Sequence, residues 1–383
     1  MIFQICIEYD LSKTPFTSLI QPCIAYEPCL LDYVEFKRVT EPIWLLGKKY
    51  NIQTGDDFEK LNKDMQSLLW FTYRKQFLPI GESNLTSDSG WGCMHRCGQM
   101  IMAQAMTRRH LGREWNWKPG CSNEAYQRIL QKFDDKIESQ YSIHKIALKG
   151  QTLEKRVGQW FGPNTVVQVL RRLIEEDVEN DISIHVAMDN MVIKSEIRKL
   201  FRVEKRCSSS QESESSAVLL TIPLRLGLSE ITPVYFEKLK AVFTLNQTLG
   251  IIGGRTNHAS YFIGYAGSEL IYLDPHTTQL YKNSGPMDDS SYHCRHPSRM
   301  SFSQLDPSIA VCFYLENEED FNQWCTEAQQ ALLEPERDAI FEILEEKPPM
   351  LPYADVDSYD ECCTSLDDKD RLYTSDDEFE LLM

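Results

Sequence analysis

Long apolar runs are missing from this sequence. No stretch approaches the roughly 18 uninterrupted apolar residues that a membrane-spanning helix needs, and the mean hydropathy is −0.39. The apolar segment that begins at Met1 holds no basic residue before Glu8, so it makes a poor secretory signal. We therefore expect a cytoplasmic location, without a membrane anchor in the chain itself.

Positive charge is also scarce. The chain of 383 residues has 40 Lys and Arg against 57 Asp and Glu, a net charge of −17, which disfavours nucleic acid as a partner. The charge is unevenly distributed, because eleven acidic residues from Leu351 onward face only Lys369 and Arg371. We expect an acidic, disordered tail over 346–383 that is separate from a mildly acidic body over 41–345.

The twelve cysteines lack the spacing of a disulfide framework. Cys93 and Cys97 are one helical turn apart and no signal peptide precedes them, so reduced thiols are expected. A second group, His293, Cys294 and His296, has no partner cluster at zinc-finger spacing. The sequence therefore predicts neither a metal site nor a cofactor.

Hydrophobic spacing predicts an α+β domain. A leader over 1–40 lacks periodicity, and the polar run 208–216 predicts a disordered surface loop. The predicted helices are 61–73, 93–110, 165–176, 195–201, 233–244 and 318–333. The predicted strands are 182–188, 218–222, 249–252, 261–265, 270–273 and 302–314.

The first candidate for chemistry is Cys93, which opens a predicted helix after Gly90-Trp91-Gly92. The positive end of the helix dipole lowers the pKa of a thiol placed there. The first amides of the helix also point towards an oxyanion that forms beside the sulfur. The alternative is a buried structural cysteine, which this segment alone does not exclude.

The second candidate is the run Asp274-Pro275-His276 at the end of a predicted strand. A carboxylate near an imidazole selects its tautomer and stabilises the imidazolium, although an Asp that only caps a turn is an alternative. A thiol on a helix N-terminus and a distant Asp/His pair fit a papain-like thiol protease. Because the acid here precedes His276, the arrangement is a variant of that plan.

Several separated blocks resemble the autophagins, the cysteine proteases that process the ubiquitin-like modifiers of autophagy. The blocks keep the family's order and cover about 43–333. In this numbering they are 71–75, 86–100, 158–165, 222–227, 261–265, 272–279 and 305–311.

The resemblance implies a papain-like core with a small accessory subdomain. It makes Cys93 the nucleophile, His276 the general base and Asp274 the group that orients it. Tyr73 matches the side chain that completes the oxyanion hole with the Cys93 amide. An aromatic residue that only packs beside the helix is the alternative for Tyr73.

The same resemblance implies a covered entrance to the thiol. Trp160 matches a residue that covers the entrance together with the loop 253–257, which includes Gly254, Arg255 and Thr256. A glycine pair before a short polar segment also suits a mobile lid. Most relatives have proline at the position of Thr256, so we expect this lid to open more readily.

The family's substrates imply the partners. They are cut after a C-terminal glycine, both in precursors and where that glycine is joined to phosphatidylethanolamine, so membrane contact is expected through substrate only. The run 376–382 of the acidic tail resembles the short motif that binds these modifiers, with Phe379 and Leu382 seated in two pockets.

Three alternatives remain open from the sequence. Another papain-like thiol hydrolase, such as a deubiquitinase, would use the same residue types. A transglutaminase or acetyltransferase also uses Cys, His and Asp, but places His before Asp in the chain. The third is a non-catalytic scaffold that binds modifiers through the acidic tail.

Overall fold

The structure is a computed structural model that describes residues 40–53, 55–202, 216–282 and 289–348. The predicted leader lies outside these residues except for Thr40, and so does the acidic tail from residue 349, with Phe379 and Leu382. Of the predicted loop 208–216 only Ser216 is described. Its side chain is buried and donates a hydrogen bond to the carbonyl of Asp181, at 3.0 Å.

Eight α-helices lie within the described residues, and none of them combines the length and apolarity that crossing a bilayer requires. In chain order they are α1 Gly55–Ser67, α2 Cys93–Leu111, α3 Glu124–Lys132, α4 Ile143–Gly150, α5 Pro163–Glu175, α6 Lys194–Phe201, α7 Phe236–Val242 and α8 Glu318–Ala328.

The strands form one large sheet and two small ones, which with the helices confirms the predicted α+β class. They are β1 Ile43–Leu45, β2 Lys48–Tyr50, β3 Arg74–Lys75, β4 Ile182–Val186, β5 Met191–Ile193, β6 Ala217–Arg225, β7 Thr248–Arg255, β8 His258–Ala266, β9 Glu269–Leu273, β10 Gln279–Leu280, β11 Ser298–Ser301, β12 Ser308–Leu315 and β13 Glu342–Leu344.

The large sheet has the order β11-β9-β8-β7-β12-β6-β4, and the hairpin β1–β2 pairs with β8. Its pairs are antiparallel except for β4 and β6. The small sheets pair β3 with β10 and β5 with β13, both in parallel. The β3–β10 pair joins the segment that contains Tyr73 to the segment that follows His276.

Helix α2 is the central helix of the molecule. Fourteen of its 19 residues are buried, because it packs against β7 and β8 on one side and against α3 and α5 on the other. Gly98 permits the close approach of α5, since a Cβ there would lie 2.6 Å from a methyl group of Val166. A helix that is buried all round provides a rigid support for a residue at its first position.

The predicted helix 61–73 is wrong at its C-terminal end, because α1 ends at Ser67. The Trp70 amide donates to the carbonyl of Tyr292 at 2.8 Å, and the Tyr73 amide donates to that of Pro275 at 2.9 Å. These bonds to distant segments hold the chain extended where the apolar spacing predicts a helix.

Other boundaries also differ from the predictions. Helices α3 and α4 were not predicted. The predicted strand 302–314 begins as a 3-10 turn, Phe302–Gln304, and only Ser308–Leu315 pairs in the sheet. The predicted helix 318–333 continues past α8 as a π-helical turn, Gln329–Leu333.

Candidate active site

Cys93 is the first residue of α2, and its side chain is fully buried. A tight turn leads into the helix, in which the amides of Trp91 and Gly92 both donate to the carbonyl of Asp88. Gly90 takes the positive φ of +88° that this turn requires. The thiol therefore lies at the positive end of a 19-residue helix.

A buried ionic network fixes this turn. One carboxylate oxygen of Asp88 accepts from the Arg74 amide at 2.7 Å, and the other accepts from Arg96 Nε at 2.8 Å. The same guanidinium pairs with both oxygens of Asp135 at 2.9 Å. Gly92 is packed so closely that a Cβ there would lie 2.5 Å from the Asp88 carboxylate. The turn that leads into α2 is thus fixed by side chains that the sequence analysis did not predict as part of the site.

Asp274 and His276 follow β9 directly. The Nδ1 atom of His276 is 2.5 Å from Asp274 Oδ1, which also accepts from the His276 amide at 3.0 Å. The indole N–H of Trp70 donates to the Asp274 carbonyl at 2.7 Å. These bonds set both the backbone and the ring of His276, as expected of an acid that orients an imidazole.

The thiol of Cys93 and the imidazole of His276 interact and shift each other's pKa. Burial alone would raise the pKa of Cys93, but hydrogen bonding with His276, with the Ala259 backbone and with Tyr73 lowers it below its usual value. The Nε2 atom of His276 is buried, and none of the described nitrogen and oxygen atoms bonds to it. Besides Asp274, the group that interacts with this ring and raises its pKa is the Cys93 thiol.

The pKa of His276 moves in the opposite direction. Burial lowers it, but the hydrogen bond with Asp274 and the interaction with Cys93 raise the pKa to about 9. The pKa of Asp274 falls below its usual value, because these bonds to His276 outweigh its burial. At neutral pH this arrangement favours a thiolate beside an imidazolium, the reactive form of a catalytic cysteine.

The other buried cysteines of the described residues lack this activation. Burial raises the pKa of Cys97, one turn further along α2. Burial also raises the pKa of Cys294 to about 12 and that of Cys325 to about 11.

Within the described part of the chain no group of His, Cys, Asp and Glu could hold a metal ion. His293 instead bonds to Tyr126 and to the Gln66 carbonyl.

Tyr73 lies beside the thiol and the imidazole. Its ring meets that of His276 edge to face, with centroids 5.5 Å apart. The Tyr73 hydroxyl is buried without a nitrogen or oxygen partner among the described atoms. Burial, followed by the nearby Cys93, raises the pKa of Tyr73 well above its usual value. The hydroxyl therefore stays protonated, and its interaction with the Cys93 sulfur places a donor beside the nucleophile.

The predicted entrance residues form a hairpin rather than a loop. Gly254 and Arg255 belong to β7, and Arg255 pairs with His258 across a turn made only of Thr256 and Asn257. Trp160 lies in the segment before α5, and its ring packs on the apolar cluster that contains Cys93. Its indole N–H is buried without a partner among the described groups.

Two residues at the start of β8 were not predicted as part of the site. The ring of His258 stacks on that of His276 with centroids 4.8 Å apart and planes 20° apart. The backbone of the next residue, Ala259, hydrogen bonds to Cys93. Their position directly after the predicted lid was the one signal in the sequence that could have indicated them.

Comparison with known proteins agrees with this geometry. The profile of the peptidase C54 catalytic domain matches residues 58–327. The chain is 43% identical to cysteine protease ATG4B of Gallus gallus over 388 positions, which cover 94% of this chain and 98% of the relative. It is 46% identical to cysteine protease ATG4B of Xenopus laevis, covering 92% and 96%, and 41% identical to cysteine protease ATG4A of Gallus gallus, covering 91% and 99%.

These matches extend over nearly the whole length of both this chain and its relatives. They favour this family over the deubiquitinase, transglutaminase and acetyltransferase alternatives. The chain belongs to the autophagin family, peptidase C54, and is a cysteine peptidase with an α+β, papain-like fold.

Proposed function

We propose that this peptidase cleaves ubiquitin-like autophagy modifiers after their C-terminal glycine, with Cys93 as nucleophile, His276 as general base and Asp274 as the residue that orients it. The observation that supports these roles is the lowered pKa of a buried thiol beside an imidazole whose pKa is about 9. A reactive thiol protease needs this pairing.

The reaction follows from the two protonation states. The Cys93 thiolate attacks the carbonyl carbon of the substrate glycine, and the imidazolium of His276 gives its proton to the leaving amine. A thioester between Cys93 and the glycine remains. His276 then takes a proton from water, and the resulting hydroxide attacks the thioester. The thiolate of Cys93 is released, and the carboxylic acid of the glycine gives its proton to solvent.

Tyr73 completes the oxyanion hole in this proposal. The tetrahedral intermediate places a negative charge on the former carbonyl oxygen, beside the first amide of α2. The hydroxyl of Tyr73 is buried, protonated and close to the Cys93 sulfur, so it can donate to the charge that forms there. Removal of one oxyanion-hole donor of this kind lowers kcat by about 10²- to 10³-fold.

The entrance selects glycine. We assign its cover to Trp160 and to the hairpin residues Gly254, Arg255 and Thr256. A residue without a side chain can pass a narrow channel between an indole and a backbone hairpin, whereas a larger residue would meet one of its walls. This is why we expect the cut to follow glycine.

The same chemistry applies to the lipid-conjugated modifier. An amide between the glycine and the amine of phosphatidylethanolamine presents the same carbonyl to Cys93, so both precursor maturation and delipidation use one site. The enzyme would then act in the cytoplasm and meet membranes through its substrate only.

The acidic segment 346–383 provides a second contact with the modifier. The run of acidic residues before Phe379, with Leu382 three positions later, suits addition as a strand to a sheet edge with two pockets. This segment lies outside the described residues, except for its first three, so the proposal is based on its sequence.

The deciding experiment is cleavage of purified modifier precursors by Cys93→Ala and His276→Ala variants, with ubiquitin precursors as a parallel substrate. We expect both variants to lose turnover. Cys121→Ala, a cysteine that is not fully buried and does not contact the site, is the matched control and should keep it. Turnover by Cys93→Ala, or faster cleavage of ubiquitin than of autophagy modifiers, would contradict the proposal.

A further inference from the structure

His258 makes the one face-to-face ring contact of His276 within the described residues. Their planes lie within 20° and their centroids are 4.8 Å apart. The other contacts of the His276 ring come from Asp274 at Nδ1 and from the Tyr73 ring at a near right angle of 83°. The imidazole is therefore held along one edge, by one perpendicular ring and on one face.

The backbone links this stack to the nucleophile. His258 is the first residue of β8, and the pairing of Arg255 with His258 fixes its register in the hairpin. Ala259 follows at once, is buried, and its backbone hydrogen bonds to Cys93. Two consecutive residues of one strand thus contact the imidazole and the sulfur, so a shift of the strand would disturb both.

We propose that His258 is a positioning residue for the general base, whose neutral ring holds the imidazole of His276 in the plane that Asp274 and Cys93 both require. Protonation of His258 removes this support and makes the peptidase sensitive to acid. The inference rests on the catalytic roles proposed above for Cys93 and His276.

The surrounding charges set the state of His258. Burial and the charge of His276 lower the pKa of His258, Asp274 raises it and Arg255 lowers it, with a net shift below the usual value. Cys93 on α2 and Tyr73 before β3 are further titratable groups beside the His276 ring.

At neutral pH His258 is therefore neutral, and its ring face is a favourable neighbour for the imidazolium. As the pH falls through the lowered pKa, a second cation forms 4.8 Å from the first. Because two like charges at this distance repel each other, the stack should open on the acid side only.

Two substitutions of His258 distinguish the effect of its aromatic ring from the effect of its charge. His258→Ala removes the stack, whereas His258→Phe keeps a flat ring that cannot be protonated. His110→Ala is the matched control, since His110 lies at the far end of α2 beside Asp181. Alkylation of Cys93 by iodoacetamide between pH 4.5 and 7.5 reports on the thiol and imidazole independently of any protein substrate.

For His258→Ala we expect Cys93 alkylation and kcat to fall by about two- to tenfold at neutral pH, with KM unchanged. His258→Phe should keep the neutral rate and extend activity to lower pH than wild type. The His276 ring proton signals in NMR should shift in His258→Ala and not in His110→Ala. Circular dichroism confirms that each variant is folded.

The inference is overturned if both His258 variants show the wild-type rate and the wild-type pH profile. A drop in rate that is equal in the alanine and phenylalanine variants would also overturn it, because the ring would then have no role. The two proposals fail separately. Cleavage by Cys93→Ala would overturn the catalytic assignment and this inference with it, whereas wild-type behaviour of the His258 variants alone leaves the catalytic assignment intact.

Discussion

At the scale of single residues, the site depends on the protonation state of the His276 imidazole. His276 is partly buried, which by itself favours the neutral ring, yet the bond with Asp274 and the nearby sulfur raise its pKa to about 9. The same interactions lower the pKa of Cys93. Each group therefore favours the charged form of the other.

Replacing Asp274 by asparagine removes the largest of the interactions that raise the pKa of His276. The pKa of His276 should then fall towards the usual value of about 6.5, and the imidazolium should be lost at lower pH. We expect kcat/KM for precursor cleavage to fall by about 10²- to 10⁴-fold. The basic limb of the pH profile of kcat/KM, which we expect near pH 9 in the wild type from the pKa of His276, should move to lower pH in the variant.

Asp56→Asn is the control, because Asp56 is exposed in the first turn of α1 and away from the site. The measurement is kcat/KM from pH 5 to 10 for both variants. A basic limb that stays in place in Asp274→Asn would show that Asp274 does not support the charge of His276.

At the scale of elements, the hairpin of β7 and β8 carries the residues that we propose as part of the entrance, Gly254, Arg255 and Thr256. Asn257 takes the positive φ of its turn, at +58°, and Thr256 keeps a negative φ. Proline also requires a negative φ, so it can replace Thr256 without forcing the backbone. The substitution acts by restricting the chain rather than by adding a contact.

We predict that Thr256→Pro slows precursor cleavage by about two- to fivefold, because a stiffer turn opens less readily. Thr256→Ala removes the hydroxyl without the ring and should cleave at the wild-type rate. The measurement is kcat under saturating precursor for the three proteins. Equal rates in all three would show that stiffness of the turn does not limit access to Cys93.

The buried ionic network at the start of α2 is the second structural feature at the scale of elements. Arg96, Asp88 and Asp135 have side-chain exposures of 2%, 0% and 3%. Arg96→Met leaves the two buried carboxylates without the cation to which they are hydrogen bonded, so the free energy of unfolding should fall by about 3–5 kcal/mol. Urea titration followed by circular dichroism measures it.

Lys149→Met is the matched control, because Lys149 pairs with Glu176, whose side chain is 55% exposed. Its effect should stay within about 1 kcal/mol. A loss of less than 1 kcal/mol in Arg96→Met would mean that the two carboxylates take up protons or find other partners without cost to the fold.

Local pattern predicted the elements that present the catalytic residues. Gly90-Trp91-Gly92 marks the start of α2, and apolar residues up to Leu273 mark the end of β9. Cys93 and the Asp274-Pro275-His276 run therefore lie at the element ends that the sequence predicts. Prediction from local pattern failed where bonds to distant segments decide the structure. Trp70 to Tyr73 is extended because it pairs with the segment after β9, and His258 meets His276 only through the register of the hairpin.

At the scale of the whole molecule, we propose that the catalytic body and the acidic segment both recognise the modifier. In this proposal the body accepts a single C-terminal glycine, and the segment with Phe379 and Leu382 binds a sheet edge elsewhere on the modifier. Two linked contacts with one partner raise the effective concentration of the second. Affinity for the whole modifier is then separable from the chemistry at Cys93.

Deletion of residues 378–383 should therefore raise KM for a full modifier precursor by about tenfold or more, while kcat stays within twofold. Cleavage of a short peptide that ends in the same glycine sequence should not change, because the peptide has no sheet edge. Phe379→Ala with Leu382→Ala should reproduce the deletion, and Asp367→Asn with Asp368→Asn, which removes as many charges as the deletion, serves as the control. An unchanged KM in the deletion would leave the acidic segment without a role in binding the modifier, and all recognition would then belong to the body.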